Sequence, residues 1–184
     1  MSKKVLVVKG SPRKQSTGEL AVKWVVDTLK EKHPEDQVTV VDLGTYYLPL
    51  DAEPYVPAAA PQEYVSEEVK AWSKLVQEHD AVVFVTPEYN SSYPGALKHA
   101  VDLLSTEWAG KKAVVVGYSP SGAFFVVPEL TTLLTKVGAT VTAKVAVQTF
   151  VLGYEAKTGV SKDFANVANT DAQGNLVFAL GTLH

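Results

Sequence analysis

Short apolar runs alternate along the chain with segments whose apolar residues recur at helical spacing. The runs at residues 5–8, 81–85 and 113–116 are continuous, which is typical of strands buried on both faces. Residues 38–41 predict a further strand. Residues 141–147 alternate apolar and more polar positions, so they predict a fifth strand with one solvent-facing side, nearer the edge of a sheet.

Four helices are predicted between these strands. The first covers residues 20–29, and the second follows Ser66, a candidate N-cap. The third runs from about 94 to 106. The fourth is expected to settle only after Pro128 and to continue to residue 137.

Two segments lack a clear period. Residues 46–62 are rich in Pro, Ala and Tyr, which predicts a long surface loop of the kind that forms lids or interfaces. Residues 171–184 contain Gly174 and Gly181 and predict at most a short helix.

The alternation of strands and helices predicts an α/β protein with a parallel sheet covered on both faces. Right-handed crossovers leave few topologies, and a single five-stranded layer is the economical one. The chain shows neither an internal repeat nor a linker, so residues 1–184 are predicted to form a single domain.

Composition narrows the function classes. The 184 residues are 46% hydrophobic and 20% charged, a globular balance, and the net charge of −3 disfavours nucleic acid as a partner. The chain has no cysteine, which excludes disulfides and thiolate chemistry and fits a cytoplasmic location. We expect no signal peptide, no membrane span and, because the four histidines are scattered, no metal site.

The segment after the third strand carries the strongest candidate chemistry. Residues 86–95 combine an acid, a phenol, an amide and hydroxyls between two prolines. Pro87 favours an extended Thr86, and Pro94 suits the start of a helix. Ligands of open α/β sheets bind at the carboxyl ends of the strands, so this loop is predicted to present itself to a flat ligand.

The loop after the first strand predicts a phosphate site. Ser11, Arg13, Ser16 and Thr17 supply hydroxyls and a cation beside the free N–H groups of a helix amino end. Ser16 and Glu19 also have the spacing of a capping box, the alternative interpretation. Arg13 favours phosphate, because a cation opposes the helix dipole at that end.

Other phosphate motifs fail here. A nucleoside triphosphate loop requires Gly and Lys where the chain has Gln15 and Ser16, and the dinucleotide fingerprint requires three glycines at another spacing. The expected anion is therefore the end of a monophosphate ligand. Gly117 and Ser119 resemble a hydrolase nucleophile elbow, but Pro120 has no N–H for an oxyanion hole.

Two motifs carry a family resemblance. Residues 10–16, GSPRKQS, resemble a G-S-x-R-x-x-S phosphate loop, and residues 86–102, TPEYNSSYPGALKHAVD, resemble a T-P-E-Y-N-x-x-x-P-G-x-L-K-N-A-I-D segment. Both are features of the NADPH-dependent FMN reductases, which include quinone and azo-dye reductases. The second motif is long and specific, and the resemblance covers about residues 5–150.

The resemblance implies a flavodoxin-like, doubly wound sheet with strand order 2-1-3-4-5 and, usually, a homodimer. It implies an FMN whose phosphate lies on the first loop and whose ring lies against the loop after the third strand, with part of the next loop nearby. The implied cofactor-binding residues are Ser11, Arg13, Ser16, Thr17, Pro87, Glu88, Tyr89, Asn90, Ser119 and Gly122.

The implied activity is passage of a hydride from NADPH or NADH through FMN to a quinone, an azo compound or free flavin. Because the cofactor carries the chemistry, no catalytic residue is predicted. The alternatives are a flavin-bound redox sensor or electron carrier with little turnover, and a flavin-free interaction module. A tyrosine-rich loop further favours a dimer, because exposed aromatic patches are costly; its residues are Tyr46, Tyr47, Tyr55 and Tyr64.

Three departures from the family pattern bear on the site. His99 replaces the usual Asn, and Phe124 and Phe125 stand where glycines are usual, which predicts a narrower or more apolar pocket over the outer face of the ring. The helix that usually ends the family is expected to be curtailed here.

Overall fold

A computed structural model describes residues 2–184. Its centre is a five-stranded parallel sheet in the order β2-β1-β3-β4-β5. The flavodoxin-like order and the position of β5 at an edge are both as predicted. The strands are β1 Lys4–Lys9, β2 Gln37–Asp42, β3 Ala81–Pro87, β4 Lys112–Ser119 and β5 Thr140–Gln148.

Helices cover both faces of this sheet. Apolar residues of α2, α3 and α4 pack on one face, and those of α1 and α5 pack on the other. None of the helices that the structure describes is long and apolar enough to cross a lipid bilayer. The helices are α1 Thr17–Lys32, α2 Glu67–Gln77, α3 Gly95–Asp102, α4 Val126–Lys136 and α5 Asp171–Gly181.

The two core layers follow from the pleat of the strands. In β1, Val5 and Val7 face the α1 side and Leu6 and Val8 face the α2 side, and all four are fully buried. A continuous apolar run therefore serves both layers. This is the physical reason that the strand positions were readable from the sequence.

Helix ends show where tertiary contacts override the pattern. α3 ends at Asp102, before the predicted residue 106, and a 3₁₀ turn, Thr106–Trp108, follows it. α4 begins at Val126, two residues before Pro128, which occupies the first turn, where the missing N–H of proline costs little. The predicted cap at Ser66 is confirmed, since its hydroxyl accepts from Val69 N at 3.4 Å.

The expectation of a curtailed last helix is wrong. α5 has 11 residues, about three turns, and Thr170 caps it by accepting from Ala172 N. Gly174, inside the helix, disfavours it by about 1 kcal/mol relative to alanine, whereas Gly181 is its last residue. Burial of Leu176 and Leu180 in the α1-side core offsets that penalty.

The tyrosine-rich segment is fixed at several points. Its start is held by His99, whose Nε2 lies 3.0 Å from the Pro49 carbonyl oxygen. Tyr47 and Tyr55 are exposed, but Tyr64 is buried, so the tyrosines do not form one exposed patch. The hydroxyl of Tyr64 donates to Glu107 at 2.8 Å, and burial together with this carboxylate raises the pKa of Tyr64.

A small hairpin after β5 has no counterpart in the sequence predictions. Its strands are β6 Tyr154–Glu155 and β7 Val160–Ser161, paired antiparallel. It is tied to the start of α1, where the Thr17 hydroxyl donates to the Gly159 carbonyl at 3.0 Å and accepts from Ser161 N at 2.9 Å.

Candidate functional site

Three loops from the carboxyl ends of β1, β3 and β4 enclose a cavity of about 320 Å³. This volume is at the lower end of the range for small-molecule sites, about 300–1,000 Å³. The β6–β7 hairpin forms part of the wall. The lining residues are Arg13, Thr17, Pro87, Glu88, Tyr89, Asn90, Tyr118, Ser119, Pro120, Thr149, Tyr154 and Gly159.

A second cavity of about 60 Å³ adjoins the first at the β1–α1 loop. The two share several lining residues, including Arg13 and Tyr89, so they form one site with a wide part and a narrow end. Its lining consists of Ser11, Arg13, Lys14, Ser16, Thr17, Pro87, Tyr89, Tyr118, Thr158 and Gly159. Nine of the ten predicted cofactor-binding residues thus line one or both cavities; Gly122 lines neither.

The narrow end is rich in hydrogen-bond donors and positive charge. The Arg13 guanidinium lies 4.5 Å from the centre of the Tyr89 ring. The hydroxyls of Ser11 and Tyr89 are 3.0 Å apart and share one hydrogen bond. Because each hydroxyl has one hydrogen, one of the two remains able to donate to a ligand.

The capping-box alternative is not what the structure shows. Ser16 is the N-cap of α1, yet its side chain makes no capping bond and instead donates to the Arg13 carbonyl at 3.3 Å. Glu19 accepts from Gln15 N at 2.9 Å and lies 3.7 Å from the Lys9 ammonium. The Glu19 carboxylate therefore interacts with the Gln15 N–H and the Lys9 ammonium, and not with the Ser16 N–H as a capping box requires.

The Thr17 hydroxyl is already engaged within the chain. It is both donor and acceptor to the β6–β7 hairpin, so the side chain has no hydrogen left for a ligand. What Thr17 retains is its position in the first turn of α1. There the backbone N–H groups have no partner within the helix and attract anions.

The β3–α3 loop is a tight turn. Tyr89 and Ser92 exchange two backbone hydrogen bonds, Tyr89 N to Ser92 O at 2.8 Å and Ser92 N to Tyr89 O at 3.0 Å. Asn90 and Ser91, between them, both have positive φ, +50° and +64°. Left-handed backbone at non-glycine residues is rare and concentrates at functional sites, and Gln15 and Ala123 in the two neighbouring loops share it.

Two predicted residues mainly organise the β4–α4 loop. The Ser119 hydroxyl accepts from Gly122 N at 3.0 Å and from Ala123 N at 2.8 Å. One Glu88 carboxylate oxygen accepts from Phe125 N at 2.9 Å and Val126 N at 3.0 Å, which caps α4. Among the described residues no histidine lines the cavity, so Ser119 has no base to activate it.

The Tyr118 hydroxyl indicates which kind of ligand the cavity can bind. Its hydroxyl oxygen is fully buried and makes no hydrogen bond of acceptable geometry, although the Ser11 hydroxyl lies close enough to influence its pKa. Burial strongly raises the pKa of Tyr118, so the phenol is neutral at pH 7 and its hydrogen is available to an acceptor. A buried unpaired hydroxyl is costly, and Tyr118 lines both cavities. With Arg13 and the first turn of α1, it fits the oxygen-rich end of a phosphate ligand.

Several lining residues escaped prediction. Tyr118 is the penultimate residue of β4, and the rule that ligands bind at the carboxyl ends of strands was sufficient to find it. Thr149, Tyr154 and Gly159 follow β5, where the apolar pattern is weak. The turn residues Thr158 and Gly159 between two short β-prone pairs were the available signal for the hairpin.

The phenylalanines at the family's glycine positions do not narrow this cavity. Phe124 and Phe125 are 72% and 57% exposed and line neither cavity. They follow β4, and their loop is joined to the segment after β5, where Phe150 is also exposed, by the bond from Thr149 N to Ser119 O at 2.8 Å. The predicted narrower pocket is not present within one copy of the chain.

Comparison with known proteins matches the chain to a protein family. Residues 3–151 match the family model for NADPH-dependent FMN reductases. The chain is 40% identical over 127 residues to the NAD(P)H-dependent FMN reductase LOT6 of Saccharomyces cerevisiae, a match that covers 65% of this chain and 66% of that protein. It is 38% identical over 122 residues to a quinone reductase of Pseudomonas putida, covering 63% and 60%.

A solved structure agrees with the fold over nearly the whole chain. FerB, a flavoenzyme NAD(P)H:(acceptor) oxidoreductase from Paracoccus denitrificans, superposes with a TM-score of 0.69 at 26% identity, covering 98% of this chain and 95% of that one. The match to curated relatives is less complete. It spans 61%, 66% and 59% of the length of three of them.

Proposed function

Because the chain belongs to the NADPH-dependent FMN reductase family, we propose that it is an FMN-dependent NAD(P)H oxidoreductase. It passes a hydride from NADPH or NADH, through bound FMN, to a quinone, an azo compound or free flavin. The observation that carries this proposal is the pair of adjoining cavities, a wide one beside the β3–α3 turn and a narrow one with Arg13 at its edge.

The narrow end holds the phosphate. Arg13 supplies the charge, and the Ser11–Tyr89 pair and Tyr118 supply hydroxyl hydrogens. The Thr17 backbone N–H, rather than its hydroxyl, completes the set, because the hydroxyl is occupied by the hairpin. Ser16 also lines this end; its hydroxyl makes no capping bond and donates to the Arg13 carbonyl at 3.3 Å.

The wide part holds the ring. The lining of this part includes Pro87 at the end of β3, Tyr89 and Asn90 of the turn at residues 89–92, and Tyr154 of the hairpin. FMN, when bound, supplies the hydride-transfer chemistry. The chain's contribution is to position the ring, and Glu88, which caps α4, keeps the β4–α4 loop in register with that turn.

No residue is assigned as a general acid or base. Among the described residues Glu88 is the one carboxylate in the cavity lining, and one of its two oxygens already accepts two backbone hydrogen bonds. Residues 1–184 act as one FMN-binding domain, since α5 packs into the same core as α1 and β5. We also propose a cytoplasmic location, which the absence of cysteine from the sequence fits.

The test is steady-state oxidation of NADPH and of NADH with a panel of acceptors. A purified protein with a flavin spectrum that oxidises NADPH in the presence of a quinone or azo dye supports the proposal. Parallel double-reciprocal lines are expected, because both substrates use the one wide cavity in turn. A flavin spectrum without turnover would overturn the reductase assignment in favour of a sensor or electron carrier.

A homodimer is part of the proposal. Four large apolar side chains lie exposed at the carboxyl edge of the sheet beside the cavity, and a second copy is the partner that would cover them. These are Phe124, Phe125, Phe150 and Val151.

Sedimentation velocity measures this association directly. The FMN-loaded protein should sediment as a dimer at micromolar concentration, and Phe150→Asp should shift it toward monomer by adding a charge to the apolar surface. Phe178→Asp, at an equally exposed position on α5, is the matched control and should leave the dimer intact. A monomeric wild type with FMN bound would contradict the proposal.

Removal of the Tyr118 hydroxyl is expected to affect the stability of the apo-protein and its affinity for FMN in opposite directions. Tyr118→Phe should leave the apo-protein as stable or raise its melting temperature, because a buried unsatisfied group is deleted. The same change should weaken FMN binding by about tenfold, the loss of one hydrogen bond of about 1.4 kcal/mol. Differential scanning fluorimetry and FMN titration measure the two effects; unchanged FMN affinity would show that Tyr118 does not touch the cofactor.

A further inference from the structure

Three side chains of types that can ligate a metal ion, two from one turn and one from the far end of α5, meet at the amino edge of the sheet. His33 follows α1, Asp36 precedes β2, and His184 follows α5. One ligand atom from each of the three lies within 4.8 Å of the others. The flavin cavities lie at the other, carboxyl edge, so this cluster is independent of the proposed function.

The Asp36 carboxylate is oriented toward the cluster. Its Oδ1 accepts from Lys3 N at 2.8 Å, which fixes the group. Its Oδ2 is buried, the whole side chain is 0% exposed, and Oδ2 has no hydrogen-bond partner. His184 Nε2 lies 3.1 Å from Oδ2, but without hydrogen-bond geometry. A buried carboxylate oxygen without a partner is costly unless a cation satisfies it.

The fold fixes the backbone beside both histidines. His33 and Asp36 belong to one tight turn, in which Asp36 N donates to the His33 carbonyl at 3.0 Å. The end of α5 is held by Lys112, whose ammonium donates to the Leu183 carbonyl at 3.2 Å. The imidazoles of His33 and His184 stack with their centres 4.1 Å apart and their planes 15° from parallel.

We propose that His33, Asp36 and His184 form a binding site for a divalent transition-metal ion, and that this ion is Zn²⁺. Two imidazoles and one carboxylate are a common donor set for such ions, and three protein ligands leave one position for water. The ligand atoms of a tetrahedral zinc lie roughly 3.3 Å apart and the ion lies in the plane of each imidazole, so closure needs a movement of about 1–1.5 Å and rotation of one ring out of the His33–His184 stack. The side chain of His184, 23% exposed, has room for it.

A bound ion would connect two segments that are far apart in the sequence. A bound ion links the turn before β2 to the end of α5, which covers the α1-side core. Because an ion that binds only the folded state stabilises it, Zn²⁺ at a hundredfold excess over its dissociation constant should raise the melting temperature by roughly 5–10 °C. The flavin spectrum should not change.

The decisive experiment uses the FMN-loaded protein, stripped of metal, in competition with a chromophoric zinc chelator. Wild type should take up one equivalent of Zn²⁺ with micromolar or tighter affinity. Asp36→Asn and His184→Ala should each weaken binding at least tenfold and abolish the rise in melting temperature. His99→Asn removes a histidine outside the cluster and should bind Zn²⁺ like wild type.

Cobalt gives a second readout. Co²⁺ should produce visible absorption bands in wild type beyond those of the flavin, and these should be absent in His184→Ala. If wild type binds no Zn²⁺ at micromolar concentration, or if Asp36→Asn and His184→Ala bind it as well as wild type, the cluster is only an Asp36–His184 ion pair and the proposal is overturned.

Discussion

Arg13→Ala is expected to weaken FMN binding by about 10- to 150-fold and to leave riboflavin binding nearly unchanged. Hydrogen bonds to a charged group contribute about 1.5–3 kcal/mol, which corresponds to that range of affinities. Riboflavin has the same ring without the phosphate. Because Arg13 lies at the narrow cavity, where the phosphate is proposed to bind, only the phosphorylated ligand loses its partner.

The matched control is Lys23→Ala. Lys23 is an exposed cation of α1 whose partner is Asp27, outside the cavities, and its removal changes the net charge by the same amount. Fluorescence titration of the apo-protein with FMN and with riboflavin measures both affinities. Equal weakening of the two ligands by Arg13→Ala would contradict the assignment of the phosphate, because the Arg13 guanidinium also lies over the Tyr89 ring.

Glu107→Ala is expected to destabilise the fold by about 3 kcal/mol, since removing one member of a buried polar network leaves the others unsatisfied. Glu107 is buried, and its carboxylate accepts from Tyr64 Oη at 2.8 Å, Ser73 Oγ at 2.5 Å and Ser105 N at 3.0 Å. These partners bind α2 and the end of the tyrosine-rich segment to the 3₁₀ turn after α3. Their release should loosen that whole side of the molecule.

Urea denaturation measures the free energy of unfolding. Glu107→Gln, which keeps the shape and one acceptor oxygen, should lose less than Glu107→Ala. Glu67→Ala removes an exposed carboxylate paired with Lys70 and should change stability by less than about 0.5 kcal/mol. A loss below about 1 kcal/mol for Glu107→Ala would show that solvent replaces the carboxylate and that the network does not anchor the segment.

The family motifs and the apolar pattern predicted much of the candidate site. Strand ends of a parallel sheet meet at one edge, so the loops that follow the strands had to converge. The motifs and the apolar pattern did not reveal which hydrogen bonds each side chain makes. Thr17 was predicted as a phosphate ligand, but a hairpin 142 residues away in the chain occupies its hydroxyl.

The sequence by itself determined the strands, most of the helices and the loops that carry the chemistry. These depend on local period and on short motifs such as the continuous run of β1 and the segment that contains Tyr89. Only the tertiary structure decided that Tyr118 is an unpaired buried hydroxyl and that His33 and His184 stack. Such contacts join residues far apart in the chain, and no periodicity encodes them. They follow from which surfaces the packing of helices on the sheet brings together.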